Sequence, residues 1–64
     1  MDRVAKLAAD ARYFLIFEES RADKDEARVE TRRRLSFLAG VYDYAHNEIS
    51  AAVDEALTAA GTTP

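Results

Sequence analysis

Val4, Leu7, Ala8, Ala11, Phe14 and Leu15 return at three- and four-residue intervals and mark one stripe of a helix. Tyr13, Ile16 and Phe17 fall on nearly the opposite side, so the second half of this helix is apolar almost all round. Such a helix calls for burial on more than one face. The spacing predicts a first helix over residues 3–19, with Asp2 as its N-cap. Ser20-x-x-Asp23 and Asp23-x-x-Glu26 follow as overlapping capping patterns and place a turn or kink near residues 20–24. Asp23, Asp25 and Glu26 also suit the positive end of a following helix.

Beyond the turn, Leu35, Leu38, Tyr42, Ala45, Ile49, Ala52 and Ala56 keep a 3-4 alternation, the spacing of a coiled-coil seam. Val53, Leu57 and Ala60 widen it. This predicts a second helix over residues 24–60, closed by Gly61 as a left-handed C′ residue, with a frayed tail at 61–64. Helix one would then be roughly 25 Å long and helix two roughly 55 Å. Half of helix two, carrying Ile49, Val53 and Leu57, would lack a cover. Either a second chain supplies it or helix two folds back. Gly40 is the one candidate break, and a single glycine is too short for a helical hairpin; it reads instead as a place of close helix approach.

Composition sharpens this picture. The chain has 64 residues, no Cys, two Gly and one Pro, so one domain is the most that fits and no disulfide can brace it. A chain this short buries only about 60% of its unfolded surface, and one core of this size rarely supplies more than ~3–5 kcal/mol. Association offsets that deficit. The fold expected is all-α: a helical hairpin with a short first helix and a long second helix, assembled as an antiparallel homo-oligomeric bundle. Leu35, Leu38, Tyr42, Ala45, Ile49, Val53, Leu57, Phe14 and Phe17 are the expected oligomer interface. The net charge is -3, unevenly spread: residues 21–34 sum to +2 and residues 35–64 to -4. Antiparallel pairing of two copies of helix two sets opposite ends together.

Catalytic chemistry finds little to work with. Ser20, Ser36 and Ser50 lack a Gly-rich elbow, and one His leaves no oriented base. The chain is expected to be no enzyme and to need no cofactor. Asp43-x-x-His46 would put two metal-ligand types on one helix face, but two ligands per chain do not make a site. The most unusual feature is Arg32-Arg33-Arg34, whose guanidinium forks match phosphate. On a continuous helix Arg33, Phe37, Gly40 and Tyr44 form a second stripe of cation, rings and gap. Charge on phosphate and rings on a base would suit a nucleotide. Arg32, Arg33, Ser36, Phe37 and Tyr44 are the candidate ligand residues; the blander reading makes Phe37 and Tyr44 a packing face. Duplex nucleic acid is disfavoured by the acidic balance.

Leu35-Ser36-x-Leu38, then Tyr44-Ala45 and Ile49, resembles a stretch of the phage anti-CBASS cyclic-nucleotide sponge family, over about fifteen of the 64 residues. That resemblance implies a small, all-helical, oligomeric anti-defence protein that sequesters cyclic nucleotide second messengers without cleaving them. It implies Ser36 near a ligand phosphate and Tyr44 at the aromatic position. The alternative is a regulator or inhibitor that presents a helical surface to a partner protein. The longest apolar run, Tyr13 to Phe17, is far too short for a membrane span, and no signal segment is visible. The expected location is cytoplasmic.

Overall fold

The computed structural model describes residues 2–21 and 23–61. Their α-helices are α1 (Arg3–Glu19), α2 (Lys24–Val41) and α3 (Ile49–Ala59), with a single 3₁₀ turn, His46–Glu48, leading into α3. α1 begins as expected: the Asp2 carboxylate accepts from the Ala5 N–H at 2.8 Å. It ends at Ser20, whose hydroxyl donates to the Phe17 carbonyl at 2.6 Å. Asp23 caps α2 by accepting from the Glu26 N–H at 2.9 Å. The chain reverses between these helices and α2 packs back along α1.

The expected 37-residue helix over 24–60 is not formed. α2 stops at Val41 and the chain folds back, so α3 packs against both α1 and α2. The stop is a Schellman motif. The Tyr44 N–H donates to the Ala39 carbonyl at 3.0 Å, and the Asp43 N–H to the Gly40 carbonyl at 3.2 Å. The C′ residue of that motif needs positive φ, and Asp43 supplies it at 72°. Asp is among the few non-glycine residues that enter this region readily. The break therefore falls three residues after Gly40, which stays helical. Ala45 is extended, and the Glu48 carboxylate accepts its N–H at 3.3 Å, the acidic half of a capping box.

The N-terminal half of α1 pins this reversal. Arg3 donates to the Asp43 carbonyl at 2.9 Å and lies 4.2 Å over the Tyr44 ring. Lys6 lies 4.9 Å over the Tyr42 ring, and the Tyr42 hydroxyl donates to Asp10 at 2.6 Å. Arg3, Lys6 and Asp10 are spaced at i, i+3 and i+7, one face of α1. The short hydrogen bond to Asp10 holds the Tyr42 proton and raises its pKa above the usual phenol value, with burial and the Asp10 charge adding to the effect.

The core gathers Leu7, Ala11 and Leu15 from α1, Leu35 and Ala39 from α2, and Ala52, Val53, Ala56 and Leu57 from α3. Thus the two halves of the expected coiled-coil seam face each other within one chain. The nine expected interface residues take new places accordingly. Leu35, Val53 and Leu57 are buried in the core. Phe14, Leu38, Tyr42 and Ile49 are half-buried against it. Ala45 is exposed in the connection and Phe17 remains on the surface. Of the two ways to cover Ile49, Val53 and Leu57, the structure shows fold-back, which buries Val53 and Leu57 and leaves Ile49 half-buried. The radius of gyration, 10.9 Å, matches the about 10.7 Å of a compact 64-residue chain.

Charge segregation is also used internally. Arg32 of α2 forms a 2.6 Å ion pair with Asp54 of α3 and reaches the Ser50 hydroxyl at 3.4 Å. The basic segment thus meets the acidic one across the α2–α3 contact. Gly61 adopts φ 83° as the C′ residue of α3. The remainder of the expected frayed tail, Thr62 to Pro64, lies outside the described residues.

Candidate interaction face

Two groups of large apolar side chains stay on the surface. On α1, Tyr13, Ile16 and Phe17 are 59%, 74% and 43% exposed. Helical geometry dictates this: Leu7, Ala11, Leu15 and Glu18 take the inward side, which leaves positions 13, 16 and 17 turned away. Together with Ser20 they line a shallow depression of about 420 Å³. On α2, Val29, Phe37 and Val41 are 60%, 72% and 61% exposed.

A groove of about 430 Å³ runs between the two helices, lined by Phe14, Arg33, Arg34, Phe37 and Leu38. Phe14, Arg34, Tyr13 and Phe17 line a smaller hollow. Arg34 thus joins the groove to the α1 aromatics. Its guanidinium lies 5.6 Å over the Phe14 ring, and Arg21 sits 5.4 Å over the Phe17 ring. Tyr13 and Phe14 meet edge to face at 5.6 Å. Cations over ring faces and edge-on rings of this kind are weak attractions at exposed sites, on the order of 0.5–1 kcal/mol each.

Beneath this surface lies Glu18, 4% exposed. Arg34 approaches its Oε1 at 3.4 Å and Arg21 at 4.0 Å. These are ionic contacts rather than tight forks, and Oε1 has no hydrogen-bond partner among the described residues. Arg33 is held by Glu30 at 3.6 Å. Two of the groove's arginines are therefore only loosely engaged, in contrast with Arg32.

The five candidate ligand residues do not converge. Arg33 and Phe37 share the groove. Arg32 points to Asp54, and the Ser36 hydroxyl donates to the Arg32 carbonyl at 2.9 Å, one turn back on its own helix. Tyr44 lies beyond the helix stop, under Arg3. The expected stripe from Arg33 to Tyr44 required an unbroken helix and ends instead with α2. Phe14 and Arg34 line the groove with Arg33 and Phe37 instead; their meeting depends on interhelical packing, which spacing within one helix cannot show. Asp43 and His46 do not share a helix face, since the reversal separates them, and both are exposed. Among the described residues no group of three or more His, Cys, Asp or Glu is placed to hold a metal, and no helix is long and apolar enough to cross a membrane. Comparison with protein-family models, with curated proteins and with solved structures finds no match.

Proposed function

We propose that the chain is a non-catalytic protein-binding regulator that presents the outer face of α1 to a hydrophobic groove of a partner protein. The observation that carries this reading is the exposure of Tyr13, Ile16 and Phe17 on the side of α1 turned away from the core. A contiguous apolar patch flanked by arginine is the composition of an interface anchor. Apolar side chains at i, i+3 and i+4, as at positions 13, 16 and 17, are those a helix lays into a hydrophobic groove. A photo-crosslinking residue at position 16 in the native cell should yield one dominant protein adduct. The same residue at position 55, on α3, should not. Tyr13→Asp should abolish the adduct. Equal labelling from both positions would overturn the reading.

A second reading takes the groove between α1 and α2. Phe14 and Phe37 offer ring faces, and Arg33 and Arg34 offer loosely held guanidinium groups, around a volume suited to one base with its phosphate. This is the sequestration of a cyclic nucleotide that the sponge resemblance implies. It ranks second because Arg32, Ser36 and Tyr44 are engaged elsewhere. Calorimetric titration with cyclic di- and trinucleotides decides it: heat that is lost on Arg33→Ala supports it, and no heat with any of them removes it.

A further inference from the structure

The segment that reverses the chain is also built to run straight. No Gly or Pro occurs from position 41 to position 60. Leu35, Leu38, Tyr42, Ala45, Ile49, Ala52 and Ala56 keep one 3-4 spacing through it with no change of phase. The backbone needs little to follow that spacing. Tyr42 (φ -85°, ψ 16°) and Glu48 (φ -102°, ψ -12°) already lie near helical values, and His46–Glu48 is a helical turn. Asp43, at φ 72°, and Ala45, at ψ 147°, depart from it. Asp43 occupies the left-handed region, where an L side chain is strained. Ala is the strongest helix former. Both residues therefore prefer the straight conformation locally. Contacts hold the reversal shut: Arg3 donates to the Asp43 carbonyl and lies over the Tyr44 ring. A chain that straightened alone would also uncover Ala52, Val53, Ala56 and Leu57.

We propose that residues 42–45 are a hinge through which two copies of this chain exchange α3. With the hinge straight, α2 and α3 become one helix, and the α3 of each copy seats in the α1–α2 cradle of the other. What fills that cradle is known: α3 fills it within one chain, and exchange remakes the same core contacts between two. The Arg32–Asp54 ion pair and the Arg32–Ser50 contact are remade between copies as well. The two long helices lie antiparallel about a two-fold axis at the hinge, so the assembly closes at two copies. The forms differ only at the hinge. The closed chain keeps the Arg3 contacts to Asp43 and Tyr44. The exchanged pair relieves the backbone at Asp43, and short strained hinges favour such exchange. Bringing two chains together costs translational freedom, so the closed chain prevails in dilute solution and the exchanged pair gains with concentration. The outer face of α1 takes no part, so the exchange is independent of its proposed partner.

Refolding the full chain from urea at rising concentration, followed by size-exclusion chromatography, tests this. A dimer fraction should appear and grow with concentration. Asp43→Gly should lower its association constant by ~10-fold or more, because glycine relaxes the turn and weakens the straight helix. Asp43→Ala should raise it by a similar factor. Circular dichroism identifies any variant that has lost its helices. Spin labels at Lys24 and Ala59 of one chain, diluted into unlabelled chain before refolding, then report on the isolated dimer. They should stand about 52 Å apart there, and within the 31 Å long axis in the monomer fraction. Arg32→Asp refolded together with Asp54→Arg should give the mixed dimer in preference to either variant's own, because exchange between unlike copies restores both ion pairs. A native chain that stays monomeric at every refolding concentration overturns the proposal. So does an isolated dimer whose labels remain close, which has associated without exchange. Pairing of the two charge variants at random counts against it as well.

Discussion

Asp43 decides the fold. Its φ of 72° is the conformation glycine adopts without strain, and an L side chain enters it at a cost of about 1–2 kcal/mol. Asp43→Gly should therefore raise stability by about 0.5–1 kcal/mol, and Asp43→Val should lower it by about 1–2 kcal/mol. Urea unfolding measures both. Tyr42, next in line, clamps the same turn through Asp10. Tyr42→Phe should cost about 1 kcal/mol by removing that hydrogen bond. It should also change the alkaline profile. The folded state holds the Tyr42 proton above the usual value, so the unfolded chain releases it first as pH rises. The contribution of Tyr42 is complete below about pH 10 and is lost as pH climbs through the folded pKa. Stability against urea should thus fall less steeply above pH 10 in Tyr42→Phe than in the native chain. Equal slopes would mean the phenol is not held by Asp10.

At the scale of elements, the first helix and its turn were legible and the third helix was not. Asp2, Ser20 and Asp23 mark the ends of α1 and the start of α2 because capping is local chemistry, written within three residues. The break after Val41 is different. Leu35, Leu38, Ile49, Ala52 and Ala56 must face inward whether the helix runs on or doubles back, so the same apolar spacing serves both arrangements. The stop signal is an Asp at C′, where Gly is usual, and Gly40 drew attention three residues too early. Of the interaction face, the all-round apolar half of α1 was legible, as was the pairing of Arg33 with Phe37. The joining of Phe14 and Arg34 to them was not, since it arises where two helices meet. If α3 is the cover of this core, trimming its inner face is costly. Leu57→Ala should destabilise by about 2–4 kcal/mol. One core of this size supplies about 3–5 kcal/mol in all. Far-ultraviolet dichroism should therefore show a substantial unfolded fraction in that variant without denaturant.

As a whole molecule, a 7.1 kDa chain with 4341 Å² of accessible surface sits near the about 4,100 Å² of a folded monomer of that mass. The chain thus reaches ordinary monomer compactness alone. Fold-back is the central claim about this molecule. Pulsed dipolar spectroscopy on spin labels at Lys24 and Ala59, diluted into unlabelled chain, measures it directly. An unbroken helix would separate these positions by about 52 Å. The reversal at Asp43 should bring them well within the molecule's 31 Å long axis. A distance distribution centred near the larger value would contradict the account.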